Sequence, residues 1–232
     1  MKTIGMIGGM SWESSVTYYR LVNEGVRDRL GGLHSARSLM YSVDFAEIEA
    51  LQHAGDWAAA GARMADAARR LEAGGADFLV ICTNTMHKLA DAVEAAVDLP
   101  LLHIADATGA RVVAAGPRRV GLLATRFTME EAFYSGRLQE RFGLDVRVPD
   151  APDRVVVHEV IYGELCAGVI REASRERYLE IGRRLIEQGA EGLILGCTEI
   201  GLLVDQSHFD VPVFDTTRIH AEAAVELALS SE

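Results

Sequence analysis

The chain carries an internal repeat, and no other feature limits its possible folds as strongly. Leu71-Glu72-Ala73-Gly74-Gly75-Ala76 aligns with Leu185-Ile186-Glu187-Gln188-Gly189-Ala190, and Phe78-Leu79-Val80-Ile81 with Gly192-Leu193-Ile194-Leu195, at an offset of 114 residues. The same offset sets Cys82-Thr83-Asn84-Thr85 over Gly196-Cys197-Thr198-Glu199. Weaker echoes pair Ile4-Gly5-Met6-Ile7-Gly8-Gly9 with Val120-Gly121-Leu122-Leu123-Ala124-Thr125, and Leu99-Pro100-Leu101-Leu102 with Val211-Pro212-Val213-Phe214. Each copy thus ends a buried-looking strand in a polar cluster. Two similar lobes facing each other would bring Thr83 and Cys197 to opposite walls of one cleft.

Short apolar runs alternate with longer amphipathic segments, the signature of parallel sheets wrapped by helices. Strands are expected near 3–8, 37–43, 77–82, 100–103, 119–124, 144–148, 191–196 and 211–214. Helices are expected near 13–30, 45–50, 56–74, 86–97, 105–115, 129–142, 155–168, 172–189 and 217–229. The fold class is therefore α/β, with two pseudo-symmetric lobes, each a mainly parallel sheet flanked by helices, and the active site in the cleft between them. Crossovers near 99–106 and 205–215 make the first lobe discontinuous, residues 1–99 plus 211–232, with 100–210 as the second.

Among 232 residues, 49% are hydrophobic and 25% charged, and no apolar run approaches the roughly 20 residues of a membrane span. The chain enters a strand almost at Met1, without a signal-peptide pattern, so a cytoplasmic enzyme is expected. A net charge of −11 argues against nucleic acid as a partner. Cys82, Cys166 and Cys197 lack metal-ligand spacing and leave an odd thiol, which argues for reduced thiols and no metal.

Gly5-Met6-Ile7-Gly8-Gly9-Met10-Ser11 lacks the G-x-G-x-x-G spacing of a dinucleotide loop. A strand-to-helix turn whose backbone N–H groups meet a small carboxylate is the favoured reading, against a tight turn with no ligand. Cys197 follows a buried run and should lie at the C-terminal edge of a sheet, where ligands collect in open α/β folds. A nearby helix N-terminus would lower its pKa and favour the thiolate, a base or nucleophile. Along the other strand, Cys82 and Thr83 face opposite ways. The repeat matches Thr83 with Cys197 and leaves Cys82 inside the lobe.

Thr83-Asn84-Thr85, Gly196-Cys197-Thr198-Glu199 and the glycine-rich opening resemble the aspartate/glutamate racemase family of cofactor-independent amino-acid racemases, over essentially the whole chain. The resemblance implies an isomerase that uses neither pyridoxal phosphate nor metal, acts on a free amino acid, and moves the α-proton between two faces. Family members usually carry cysteine in both motifs; here the first has Thr83, with Cys82 one position upstream. Cys197 and Thr83 are the catalytic pair so implied. A hydroxyl can hand over a proton, relayed by water, but is a poor base in return. Asn84, Thr85 and Thr198 fit the grip on the α-amino and α-carboxylate groups or, equally, plain N-capping. Thr125 matches Gly9 in the repeat and would line the same cleft, with Met10 and Gln52 as further pocket candidates, Gln52 also suiting a solvated helix face. Glu199 would orient Cys197, bind the amino group or offset a helix dipole.

Aspartate-type members commonly hold the distal carboxylate with a lysine and an arginine. Cys166 stands where the lysine is expected, and no arginine lies near Asp44-Phe45-Ala46-Glu47-Ile48. The substrate is thus aspartate or glutamate, or a broader set including hydroxyl-bearing amino acids such as homoserine. Two rivals stand: another proton-transfer enzyme of the maleate isomerase or arylmalonate decarboxylase type, and a non-catalytic amino-acid-binding protein. His87, His103 and His220 form no metal pattern; they are packing histidines, or His87 and His103 poise a cleft residue. Trp12 would cover the cleft mouth, or join Tyr18 and Tyr19 in the surface of a homodimer.

Overall fold

A computed structural model describes residues 1–230. The chain divides into two compact units, one made of Met1–Ile104 and the chain from His220 onward, the other of Ala105–Ile219. These limits differ from the expected breaks at 99/100 and 210/211, for a reason visible in the pairing. Leu101 bridges Leu79 in the first unit, and the segment Val213–Asp215 pairs in the second.

In the first unit the parallel strands β1 (Ile4–Gly8), β2 (Ser38–Ser42) and β3 (Phe78–Ile81) lie in the order β2-β1-β3. Around them run α1 (Trp12–Leu30), α2 (Phe45–Ala54), α3 (Trp57–Ala73) and α4 (Ala90–Glu94). Strand periodicity separates two cores. Ile7, Leu79 and Ile81 pack with Met64, Ala67 and Leu71 of α3. Ile4, Met6, Phe78, Val80 and Cys82 pack with Tyr18 and Val22 of α1 and with Ala221, Ala224 and Val225. Helices α1, α2 and α3 start on side-chain caps: Ser11 accepts from the Ser14 N–H at 3.3 Å, Asp44 from Ala46 at 3.0 Å and Asp56 from Ala59 at 3.0 Å.

The helix expected at 86–97 is instead a 3₁₀ turn, Thr85–Leu89, followed by the short α4. The His87 side chain explains this. Its Nδ1–H donates to the Thr83 carbonyl at 2.8 Å, so the backbone N–H of His87 turns to Asn84 O at 3.1 Å. A side chain occupies the acceptor that an α-helical N–H would use, and the turn tightens.

The second unit begins with α5 (Ile104–Ala115), whose first residue still counts with the other unit. Its sheet holds β4 (Arg119–Ala124), β5 (Asp145–Arg147), β6 (Gly192–Gly196) and β7 (Val213–Asp215) in the parallel order β5-β4-β6-β7. The helices are α6 (Arg126–Glu130), α7 (Ala132–Phe142), α8 (Ala151–Gly163), α9 (Glu172–Glu187) and α10 (Thr216–Leu229), the last crossing the second unit boundary. The helix expected over 129–142 is broken at Glu131, whose backbone is extended. Arg137 grips Asp106 through two hydrogen bonds of 2.6 and 2.7 Å, tying α7 to α5.

The repeat is thus one topology used twice. β2-β1-β3 corresponds to β5-β4-β6, and the Leu79–Leu101 bridge takes the place of the β6–β7 pairing. In each unit the polar cluster of the repeat follows the matching strand, β3 or β6.

Candidate functional site

At the end of β1, Gly9 has φ of +92°, and a Cβ there would collide with the Val43 backbone, so the turn requires glycine. The Gly9 N–H donates to Ser15 Oγ at 2.7 Å, and that hydroxyl donates to Ser11 O at 3.0 Å. The carboxylate-binding reading is corrected at Gly9, whose N–H is taken up by its own helix. The only forewarning was serine four residues apart at the helix start, Ser11 and Ser15. Met10 lies in the apolar core beside Ile7 and Ile48. Gln52 is buried rather than on a solvated face, its Nε2 set 3.1 Å from Met86 Sδ.

At the end of β3, the pleat places Cys82 with Phe78 and Val80 in the core, where burial pushes its thiol pKa far up. Thr83 is half-buried, the less enclosed of the two. Asn84 and Thr85 are buried. Asn84 has helical backbone geometry and makes no side-chain cap, so the capping role does not apply to it. His87, weighed in the sequence chiefly as a packing residue, holds the Thr83 carbonyl, and its Nε2 accepts from the Ile104 N–H at 3.2 Å. Both contacts together require the neutral Nδ1–H tautomer. The His103 and His220 rings lie 4.5 and 5.8 Å from it, centroid to centroid.

Tyr18 is buried, its hydroxyl 2.8 Å from His220 Nδ1, which corrects the expectation that it lies in a dimer surface. Trp12 (65% exposed) and Tyr19 do lie on the open face of α1. Among the described residues no group of His, Cys, Asp or Glu is arranged to hold a metal ion, and no helix is long and apolar enough to cross a membrane.

In the second unit, Thr125 follows β4 as Gly9 follows β1. Its hydroxyl caps α6, accepting from the Thr128 N–H at 3.4 Å and lying 3.2 Å from Thr128 Oγ1. Cys197, directly after β6, is 8% exposed, and Glu199 beside it is 2% exposed. Cys197 Sγ donates to Glu199 Oε2 at 3.0 Å, and Thr198 Oγ1 donates to the same oxygen at 2.6 Å. The expected lowering of the thiol pKa is overturned: burial first, then the Glu199 carboxylate and Cys166, push Cys197 well above the ordinary thiol value. The helix that follows is a single 3₁₀ turn, Ile200–Leu202, too short to offset them.

Cys166 lies within electrostatic reach of Cys197, and so does Tyr178, whose hydroxyl donates to Val157 O at 2.8 Å. Tyr178 looks in sequence like any apolar-face residue of α9, and nothing there marks it as a neighbour of Cys197. None of the three cysteines is in a disulfide.

One α/β topology built twice, with a hydroxyl after one strand and a thiol after its counterpart, is the framework of an amino-acid racemase fold. Residues 7–224 match the model for the Asp/Glu/Hydantoin racemase family, and the chain belongs to that family of isomerases. A crystal structure from Yersinia pestis, assigned provisionally as an Asp/Glu racemase, is 54% identical, covers 99% of this chain and 100% of its own, and has a TM-score of 0.92. An aspartate racemase homologue from Pyrococcus horikoshii OT3 is 33% identical, covers 99% and 100% of the two chains, and has a TM-score of 0.86. The broad specificity amino-acid racemase RacX of Bacillus subtilis is 23% identical over 172 residues, 71% of this chain and 70% of its own. The chain spans about half the length of the glutamate racemases it matches, 54% for that of Pseudomonas paraeruginosa.

Proposed function

We propose that this enzyme racemises a free amino acid without pyridoxal phosphate or metal, with Cys197 serving one face of the α-carbon and Thr83 the other. The observation that carries the reading is the Cys197 thiol at the end of β6, hydrogen-bonded at 3.0 Å to a buried carboxylate, in a chain of the racemase family. A thiol deprotonates far more readily than a hydroxyl, so Cys197 is the base. Thr83, relayed by water, donates on the opposite face and makes the slower base when direction reverses. Asn84, Thr85 and Thr198 are the proposed contacts for the α-amino and α-carboxylate groups.

For the side chain, we favour a polar, uncharged or hydroxyl-bearing substrate such as homoserine over aspartate. Cys166, which lies within electrostatic reach of Cys197, stands where aspartate-type members carry a lysine. At that position an anionic side chain would lack the charge-assisted partner a lysine supplies. The broad specificity of RacX is consistent with a relaxed distal pocket.

The test is α-deuterium incorporation in D₂O by NMR, with chiral chromatography, over L- and D-amino acids including aspartate, glutamate and homoserine, comparing wild type with Cys197→Ser. Exchange and inversion that vanish in the variant are expected. Silence across the panel, or exchange that survives in Cys197→Ser, removes this reading.

A further inference from the structure

We propose that Glu199 takes the proton from Cys197, and so generates the thiolate that attacks the α-hydrogen. This inference rests on the proposed role of Cys197 as the base. Its ground is geometric: Sγ of Cys197 and Oγ1 of Thr198 converge on one oxygen of Glu199, at 3.0 and 2.6 Å, with Glu199 almost wholly enclosed.

Two acidic groups in a buried contact share a proton, because the doubly charged state suffers both like-charge repulsion and lost hydration. The shared proton has two resting places. On sulfur, it leaves the charge on Glu199. In the other form the S–H bond breaks with its electron pair kept by sulfur, an O–H bond forms at Oε2, and the Oε2–H then donates back to the thiolate. Net charge is −1 in both forms, and no co-reactant is needed. The Thr198 hydroxyl can donate to Oε2 in either.

Burial and the carboxylate keep Cys197 protonated at rest. Moving the proton to Glu199 removes the very charge that opposes the thiolate. Cys197 then becomes a thiol again by taking the α-proton, and turnover closes when the proton held on Glu199 returns to solvent, which resupplies the donor on the other face. Glu199 therefore acts through Cys197, as a positioning and proton-holding residue. Cys166 and Tyr178 interact electrostatically with Cys197, and Glu164 with Tyr178; Glu164 accepts from Ser174 at 2.7 Å and lies 3.8 Å from Arg171.

The experiment uses Glu199→Gln and Glu199→Asp in the full chain. For each, α-deuterium exchange is measured across pH, and iodoacetamide alkylation of the Cys197 peptide is followed across pH by mass spectrometry. The amide cannot take a proton and carries no charge. Exchange in Glu199→Gln should therefore fall about 100-fold or more, while the alkylation midpoint moves to lower pH. Glu199→Asp, which keeps a carboxylate on a shorter stem, should restore part of the exchange.

A merely structural or repulsive Glu199 predicts the opposite pairing. Exchange in Glu199→Gln at or above the wild-type rate, with a lowered midpoint, overturns the proposal. So does lost exchange with an unmoved midpoint, or a Glu199→Asp variant that folds and is as slow as Glu199→Gln. If Cys197→Ser abolishes exchange while Glu199→Gln preserves it, only this inference fails; exchange that survives in Cys197→Ser removes the underlying reading as well.

Discussion

His87 holds Thr83 in place: Nδ1–H of the ring donates to the Thr83 carbonyl at 2.8 Å, and Nε2 accepts from the Ile104 N–H at 3.2 Å. The two contacts can be removed one at a time. Asparagine reaches like Nδ1 and keeps the bond to Thr83; glutamine reaches like Nε2 and keeps the bond to Ile104. If the Thr83 contact sets the geometry of the strand end, His87→Gln should lose inversion about tenfold or more, because small misplacements of a reacting group are costly. His87→Asn should stay close to wild type. The measurement is kcat and KM for inversion in both variants, and equal losses would mean that the histidine only fills space.

Thr83 itself can be tested by shape-preserving replacement. Enantiomers in solution have equal free energies, so kcat/KM for wild type must be the same in both directions, whatever the separate kcat values. Thr83→Val deletes the hydroxyl and should cut inversion about 100-fold or more. Exchange of α-hydrogen for deuterium with retained configuration should survive for the enantiomer that Cys197 deprotonates. Thr83→Cys should speed inversion. A valine variant that inverts normally would show that the donor on the second face is another group.

The repeat made much of this legible in advance. It located β1, β3, β4 and β6 to within a residue, because a strand buried on both faces is a run of apolar residues whatever its partners, whereas the strand expected at 100–103 is only the Leu79–Leu101 bridge. It also matched Thr83 with Cys197, and the pleat argument put Cys82 in the core. What the pattern does not carry is what individual side chains bond to, near in sequence or far. The helix after Thr85 was misread because a histidine side chain takes a backbone acceptor. The Cys197 thiol departs from expectation because burial, then Glu199 and Cys166, outweigh a helix start that is one 3₁₀ turn. The burial of Tyr18, for which a dimer surface is one of the sequence's alternatives, is not legible because its partner His220 is 202 residues away.

His220 makes stability depend on acid. Burial lowers its pKa from 6.5 to about 4, with Nε2–H donating to Leu102 O and Nδ1 accepting from Tyr18, both at 2.8 Å. Below pH 6.5 the unfolded chain binds a proton that the folded one refuses, so stability is complete above that pH and lost as pH falls toward 4. The loss across the window is about 3 kcal/mol. Urea unfolding of wild type and His220→Gln at several pH values should show a shallower decline in the variant. Parallel declines would mean that His220 is reached by solvent or titrates normally in the folded state.

Substrate choice can be tested at Cys166, half-buried in the 3₁₀ turn Leu165–Ala167 within electrostatic reach of Cys197. Cys166→Lys would put a cation where the proposed distal group of the substrate lies. A charge-assisted hydrogen bond contributes about 1.5–3 kcal/mol, so kcat/KM for aspartate should rise about tenfold or more relative to homoserine. The ratio matters more than either rate. A cation at this place would also favour the Cys197 thiolate and so speed every substrate alike, and only a distal contact separates the acidic from the neutral amino acid. Cys166→Met, which adds bulk without charge, should leave the ratio near its wild-type value. A lysine variant that gains equally on aspartate and homoserine would place Cys166 beside the base and away from the substrate's side chain.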